Sequence, residues 1–429
     1  MSFSLSTALL VDSAVVAACG AAFFRNRHRR HSHPAFIYLI FHVMLFTFRG
    51  WAIRQGSPTF LGLSEAEVVR ALLAADVFLL SAAFGWLMPT PAKWTETPTS
   101  PRELRPAVVT GVAVFLMPIG LYFLATRTYT SGSGTENVAL STSYEIFAVT
   151  WPGLLLLGLV YVKGFRWYLL CPLAMYLCFM GLQSQDRFRV ILPLILLGQI
   201  WLDRKGRRWP TTLIVAGMVA VFPVFVAMDA IGAAYRTGSL TPQVVSQEVS
   251  RGIGESFSGG SNDQLGLDAL GVAMAQSDRY GVPLYGKDYV NVLFLPIPRP
   301  LWPDKPVLNE AVVKLSTSDR PLSAQGAVLT MPGSLYVDFR WVGLTLVAFL
   351  LARAGLWVYC RAYAHGMGTA FHFAYLLVAA SLIQIYRDSL TSLVTFLLVN
   401  SAPLVVILVV NMLHKPPHRI LVAEAQIKG

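Results

Sequence analysis

The stretch VVRALLAADVFLLSAAFGWL, residues Val68 to Leu87, decides the fold class. It carries only two charged side chains in 20 residues, and a helix of about 20 predominantly apolar residues is what crosses the hydrocarbon core of a bilayer. Lipid offers no hydrogen-bond partner to the peptide groups, so such a segment is stable there as a helix whose backbone bonds to itself. The stretch therefore predicts a transmembrane helix.

Comparable apolar runs recur along the chain. Of its 429 residues, 55% are hydrophobic and 13% are charged, whereas soluble domains carry about 25% charged residues. We therefore predict an all-α polytopic membrane protein with about eleven transmembrane helices, in a single integral membrane domain covering residues 1–429. The predicted helices are Leu5–Phe24, Ala35–Phe48, Val68–Leu87, Ala107–Ala125, Tyr144–Val162, Trp167–Gly181, Val190–Leu202, Thr212–Met228, Leu335–Val358, Phe371–Ile385 and Leu390–Leu413.

The positive charges predict the orientation of these helices. With the N-terminus outside and the C-terminus in the cytoplasm, the cytoplasmic segments hold eighteen Lys and Arg and the short outer segments hold six. An excess of Lys and Arg marks the cytoplasmic side of a membrane protein. Much of the net charge of +11 is thus explained by topology, and it does not require a nucleic-acid partner.

One segment, Ile231 to Met331, is predicted to form a large extracytoplasmic loop that carries part of the functional site. Loops of this length are usually functional or disordered, and its aromatic and proline content favours order. Short helices are expected near Pro242–Ser250 and Asn262–Gln276, lying against the membrane surface. Other isolated charged residues, Arg340 just beyond the segment among them, are weaker site candidates, because a single loop arginine is more often a solvated surface charge than a ligand.

Two short polar turns are predicted at the outer membrane surface. The stretch QSQDRFR places Arg187 and Arg189 before an apolar helix, where guanidinium groups can bind phosphate oxygens through paired hydrogen bonds. Alternatively, these arginines extend to lipid headgroups or pair with Asp186. The turn YRDS contains Arg387 and Asp388, which form either part of an anion site or a structural pair.

A third stretch, NVLFLPIPRPLWPDKP at residues 291–306, lies within the large segment. Its prolines fix the backbone and prevent a helix. Arg299 and Lys305 can bind phosphate, and the Trp302 ring can stack on a sugar. The alternative is an interfacial loop that Trp302 anchors to the membrane.

Common cofactor and catalytic motifs are absent from the sequence. It contains no phosphate-binding GxxxxGK[ST], no GxGxxG after a strand, no HExxH and no cysteine-rich metal spacing, so neither a cofactor nor a metal is expected. None of the eight histidines lies in the large segment. A general base at the outer face is therefore expected to be a carboxylate, with Asp263, Asp304 and Asp388 as the chosen catalytic candidates.

Four motifs in this order resemble Wzy-type polysaccharide polymerases, also called oligosaccharide repeat unit polymerases. They are DRFR at residues 186–189, PIPRPLWPDKP with VLN at 296–309, MPGSL at 331–335 and YRDSL at 386–390. The resemblance covers Gln183 to Val399, whereas the first half of the chain is similar only in hydropathy. Asp186 departs from the small or hydroxyl residue that the family often has before the first arginine of the DRFR motif.

The resemblance implies a metal-independent integral glycosyltransferase with a GT-C-like fold in the bacterial inner membrane. Such an enzyme joins undecaprenyl-diphosphate-linked oligosaccharide repeats on the outer face and releases undecaprenyl diphosphate. The products are O-antigen, capsule or exopolysaccharide, and the expected partners are membrane lipids and a chain-length regulator. The diphosphate and sugars are expected to contact Arg187, Arg189, Arg299, Trp302, Lys305 and Arg387.

Two other functions are compatible with a protein of this general form. An O-antigen ligase shares the architecture but is expected to use a histidine in its large outer loop, and the large segment of this chain has none. A transporter or flippase of lipid-linked sugars is expected to show internal repeats and charges within its helices, whereas most charges of this chain lie outside the predicted spans.

The predicted topology can be tested with reporter fusions. A reporter joined after Gly260 is expected to read as extracytoplasmic, because residues 231–331 are assigned to the outer face. A fusion after Lys205 serves as the cytoplasmic control. A cytoplasmic signal from the Gly260 fusion would reverse the orientation.

Overall fold

A computed structural model shows that the chain is built of helices in the part that it describes. The described residues are 4–25, 32–59, 62–97, 103–126, 148–183, 188–206, 231, 234–235, 238–239, 241–258, 265–280, 283–292, 294, 297, 301–304, 329–387, 389 and 401–413. Within these ranges there is no β-strand, and one isolated β-bridge joins Glu103 to Thr369.

The described ranges contain fourteen helices, numbered in chain order. They are α1 Leu5–Arg25, α2 Pro34–Arg54, α3 Glu65–Leu87, α4 Ala92–Thr95, α5 Pro106–Thr126, α6 Trp151–Lys163, α7 Trp167–Gln183, α8 Phe188–Lys205, α9 Pro242–Ser258, α10 Gly266–Tyr280, α11 Lys287–Val292, α12 Met331–His365, α13 Ala370–Arg387 and α14 Ala402–Leu413. Two of them contain a π-helical turn, Val43–Thr47 in α2 and Gly343–Val347 in α12.

The prediction of a helical membrane protein is confirmed. Among the described residues, α1, α2, α3, α5, α12 and α13 are long and apolar enough to cross a bilayer, and α6, α7 and α14 are shorter apolar helices. The predicted helix Thr212–Met228 lies outside the described residues. The structure thus supports six spanning helices, and the remainder of the predicted eleven stays a prediction.

The helices pack into two apolar cores that share α13. One core combines buried side chains of α1, α2, α3, α10 and α12, and the other combines those of α5, α6, α7, α8 and α14. Helix α13 contributes Tyr375 and Tyr386 to the first core and Phe373 and Leu376 to the second. It therefore joins the two halves of the bundle.

A small residue allows close contact within the first core. A Cβ atom at Gly85 of α3 would lie 2.8 Å from the carbonyl oxygen of Phe349 and 3.0 Å from the Cβ of Ala352, both in α12. Small residues at such positions let helix backbones approach in membrane proteins. This contact fixes α3 against α12, the two helices that supply three of the four side chains of the cluster described below.

Helix α10 lies inside the bundle, which differs from the predicted position on the membrane surface. It packs against α3 and α12, and its residues Leu267, Leu270 and Val272 are fully buried. The sequence GLDALGVAMAQS supplies the small and apolar side chains that permit this packing. The two helices predicted within the large segment also end later than expected, at Ser258 in α9 and Tyr280 in α10.

A buried ion pair links α10 to α2. The Arg49 guanidinium contacts the Asp268 carboxylate at two points, Nε to Oδ2 at 2.6 Å and Nη2 to Oδ1 at 3.1 Å. Arg49 Nη2 also donates to the carbonyl oxygen of Pro58 at 2.8 Å. Because both side chains are buried, each charge depends on the other for stabilisation.

Breaking this pair is expected to destabilise the protein. Arg49→Met leaves the Asp268 carboxylate buried without its guanidinium, which costs about 3–5 kcal/mol. The double variant Arg49→Met/Asp268→Leu is expected to recover most of the loss, because an apolar pair replaces both charges. Thermal unfolding of the full chain in detergent measures both effects.

The matched control is Arg54→Met, which removes an exposed arginine from the end of the same helix. It is expected to leave the midpoint of thermal unfolding close to that of the wild type. A double variant as unstable as Arg49→Met would contradict the assignment.

Candidate functional site

Two arginines, a carboxylate and a phenol meet where α3, α10 and α12 come together. Arg70 Nη1 lies 2.5 Å from Asp278 Oδ2, and Arg340 Nη1 lies 3.1 Å from Asp278 Oδ1. The Tyr336 hydroxyl donates to Asp278 Oδ1 at 2.8 Å and accepts from Arg70 Nη2 at 2.9 Å. We call these four residues the Arg70–Arg340 cluster.

The backbone of α12 is distorted where it supplies this cluster. Arg340 has φ 56° and ψ −139° inside the helix, a conformation that costs on the order of 1–3 kcal/mol for a residue with a side chain. The distortion directs its guanidinium to the Ser277 hydroxyl and, at 2.5 Å, to the Ser277 carbonyl oxygen. Strained backbone of this kind is concentrated at functional sites.

The cluster carries surplus positive charge that solvent can reach. Two guanidinium groups face one carboxylate, with side-chain exposures of 43% for Arg70, 20% for Arg340 and 36% for Asp278. Paired guanidinium groups bind anions with several oxygens, such as phosphates, with geometric specificity. The cluster can therefore hold a bidentate anion while Asp278 fixes the orientation of both arginines.

Part of the large segment after α10 folds over α12 beside the cluster. The backbone N–H groups of Tyr285 and Gly286 donate to the Asp338 carbonyl oxygen at 3.1 Å and to its Oδ1 at 3.2 Å. Tyr285 has a positive φ of 51°, and its side chain is 74% exposed. The contact places an exposed aromatic ring just before α11 and close in sequence to the proline-rich stretch.

Few of the side chains that the sequence predicts for the site lie within the described part of the chain. Trp302 is half-buried, with its ring centroid 5.4 Å from that of Phe294, and Asp304 is exposed. Arg387 ends α13 and is half-buried. Arg189 lies in the first turn of α8, but its side chain is outside the described part of the chain. The other predicted positions, Arg187, Asp263, Arg299, Lys305 and Asp388, lie outside the described residues.

The Arg70–Arg340 cluster is not among the sites that the sequence predicts. Arg340 is one of the weaker candidates of the sequence, and the structure places it in the cluster, since its side chain is 20% exposed and contacts Ser277 and Asp278. A signal for Arg70 is present in the sequence, since an arginine within a predicted transmembrane stretch marks a functional position by default. No local pattern indicates Asp278, which lies on a different element.

A second polar network closes the opposite end of α12. The Tyr363 hydroxyl donates to Asp203 Oδ2 at 3.1 Å, and His372 Nε2 lies 3.3 Å from the same oxygen. His372 Nδ1 is 3.0 Å from the Tyr161 hydroxyl, which also accepts from the Gly368 N–H at 2.8 Å. These contacts join side chains of four helices within the packed interior, so the network helps to fix the ends of α6, α8, α12 and α13.

Comparisons of the chain with protein-family models, curated proteins and solved structures gave no match. The chemistry of the cluster is therefore inferred from its geometry. Two arginines held by Asp278, their exposure to solvent and the exposed Tyr285 ring in the adjoining segment suit the binding of a phosphorylated ligand that also carries a ring-shaped group.

Proposed function

We propose that the protein polymerises undecaprenyl-diphosphate-linked oligosaccharide repeats on the outer face of the bacterial inner membrane. It acts as a metal-independent glycosyltransferase with a GT-C-like fold. The observation that carries the proposal is the Arg70–Arg340 cluster, which presents two guanidinium groups where the large segment meets the transmembrane helices. The four family-like motifs in the sequence support the same reaction.

The position of the cluster agrees with chemistry at the outer face. Arg70 lies near the start of α3, and the Leu5 N–H at the start of α1 donates to Glu65 Oε1 at 2.9 Å. The beginnings of α1 and α3 therefore share one end of the bundle. In the proposed topology the N-terminus is outside, so this is the end that faces lipid-linked repeats after their export.

The reaction requires the diphosphate to be held and its charge to be stabilised. The acceptor hydroxyl attacks the anomeric carbon of the donor sugar, the bond from that carbon to the diphosphate oxygen breaks, and the diphosphate leaves with the electron pair. Preorganised cations stabilise the negative charge that develops there. We assign this role to Arg70 and Arg340, together with the sequence-predicted Arg187, Arg189, Arg299, Lys305 and Arg387.

The acceptor proton needs a carboxylate. Asp278 already accepts from both arginines and from Tyr336, so we assign it to positioning. The proton acceptor is proposed to be Asp263, Asp304 or Asp388. Aromatic side chains near the large segment, Tyr285 and Trp302, present ring faces to the sugars, and a chain-length regulator remains the proposed protein partner.

A transporter of lipid-linked sugars is the second candidate, and one observation favours it. Asp12, His42 and Asp76 are buried together within α1, α2 and α3. Ionisable groups inside a transmembrane bundle often mark ion pathways. Transport moves the lipid-linked repeat without forming a glycosidic bond, so the two candidates predict different products.

Variants of the cluster test the polymerase proposal in cells that lack the native gene. Arg70→Gln and Arg340→Gln are each expected to lower polymer about 10²–10³-fold, the typical effect of removing one charge-stabilising group. The readout is the polymer ladder on a gel, normalised to the amount of tagged protein in the membrane. Single lipid-linked repeats are expected to accumulate on the outer face.

The matched control is Arg353→Gln. Arg353 is half-buried and donates to the carbonyl oxygens of Met88 and Pro89, beyond the opposite end of α3. Its polymer ladder is expected to match that of the wild type at equal protein level. Unchanged ladders in Arg70→Gln and Arg340→Gln would rule out the cluster, and repeats retained on the cytoplasmic side would favour the transporter.

A further inference from the structure

Three ionisable side chains from three different helices meet in the interior of the first core. His42 Nε2 of α2 lies 2.9 Å from Asp12 Oδ1 of α1 and 3.6 Å from Asp76 Oδ1 of α3. Asp12 and His42 are fully buried and Asp76 is 3% exposed. One potential ligand atom from each residue lies within 4.8 Å of the other two. We call these residues the Asp12–His42–Asp76 triad.

The triad lies deep within the transmembrane helices. Asp76 is 11 residues from either end of α3, which corresponds to about 16 Å along the axis at 1.5 Å per residue. The hydrocarbon core of a bilayer is about 30 Å thick. Asp76 is therefore close to the bilayer midplane, where a charged group is costly and is retained for a function.

Several polar atoms of the triad lack a hydrogen-bond partner. Both carboxylate oxygens of Asp76, Oδ2 of Asp12 and Nδ1 of His42 are buried without one. A buried carboxylate needs a compensating charge or hydrogen bond. One imidazole shared by two carboxylates supplies a single hydrogen bond, to Asp12 at 2.9 Å. These unpartnered atoms are therefore available to bind a cation between the three residues.

We propose that the triad binds a divalent transition-metal ion, with zinc as the best match. Zinc accepts nitrogen from His and oxygen from Asp at about 2.0–2.2 Å, and a tetrahedral arrangement at that length separates ligand atoms by about 3.3 Å. The two separations from His42 Nε2, 2.9 Å and 3.6 Å, bracket this value. The ligands are one oxygen each from Asp12 and Asp76 and Nε2 of His42.

The surroundings of the triad suit a tightly held ion. The rings of Tyr38 and Phe46 lie 5.9 Å and 5.2 Å from the His42 ring and exclude water from its faces. A π-helical turn, Val43–Thr47, begins directly after His42, and such turns are frequent at functional sites. Among the described residues, this is the one group of three His, Cys, Asp or Glu side chains close enough to hold a metal.

The proposed ion binds helices α1, α2 and α3 together and is separate from the chemistry of glycosyl transfer. Its charge neutralises two carboxylates that otherwise repel each other in a medium of low dielectric constant. The inference does not depend on the proposed function, because metal content and thermal stability are measured without any sugar substrate.

Metal analysis of the purified full-length protein tests the proposal. After exposure to ZnCl2 and dialysis into metal-free buffer, the wild type is expected to retain about one zinc per chain, because the triad forms one three-residue site. Removing a residue that only hydrogen-bonds to a metal ligand typically weakens metal binding about 10–100-fold. His42→Gln and Asp76→Asn change the ligands themselves, so each is expected to weaken zinc binding by more than this. The readout is mass spectrometry of the metal content per chain.

The matched control is His372→Gln, which alters a buried histidine beside a single carboxylate, Asp203. It is expected to retain zinc like the wild type. A second measurement needs no variant. Zinc added to the metal-free wild type is expected to raise its midpoint of thermal unfolding, and to raise it further at higher zinc concentration. Wild type that neither retains zinc nor is stabilised by added Zn²⁺, Co²⁺ or Mn²⁺ would overturn the proposal and leave a proton-sharing triad.

Discussion

The buried pair of Arg49 and Asp268 fixes helix α10 of the large segment against α2. Either charge alone is unfavourable in the apolar interior, so the burial of Asp268 depends on the Arg49 guanidinium. The rest of α10 then follows as an apolar helix between α3 and α12. Asp278 lies ten residues further along the same helix, which is about 15 Å, and so reaches Arg70 and Arg340.

Charged side chains have different roles in the Arg49–Asp268 pair and in the Arg70–Arg340 cluster. At the Arg49–Asp268 pair, two charges cancel within the core and hold a helix in place. At the Arg70–Arg340 cluster, two arginines share one partially exposed carboxylate, and the surplus charge is available to a ligand. A strained conformation such as that of Arg340 persists only where the surrounding structure holds it in place, and here α3 and α10 pack against this part of α12.

Apolar spanning helices could be predicted from the sequence, whereas the Arg70–Arg340 cluster could not. A run such as Val68–Leu87 can be recognised without reference to the rest of the chain, because its length and hydropathy suffice to predict a membrane helix. The burial of α10 depends on Asp268 meeting Arg49, which is 219 residues away, and no local pattern encodes that contact. The Asp12–His42–Asp76 triad could not be predicted for the same reason, since its residues lie on three different helices and their spacing in the sequence matches no known motif.

The proposed polymerisation is tested with the purified full-length protein in lipid nanodiscs and an undecaprenyl-diphosphate-linked repeat as the substrate. We expect a ladder of polymer products and the release of undecaprenyl diphosphate with each new linkage, both lost in Arg340→Gln. A folded wild-type protein that leaves the lipid-linked repeat unchanged would contradict the assignment of the Arg70–Arg340 cluster to glycosyl transfer.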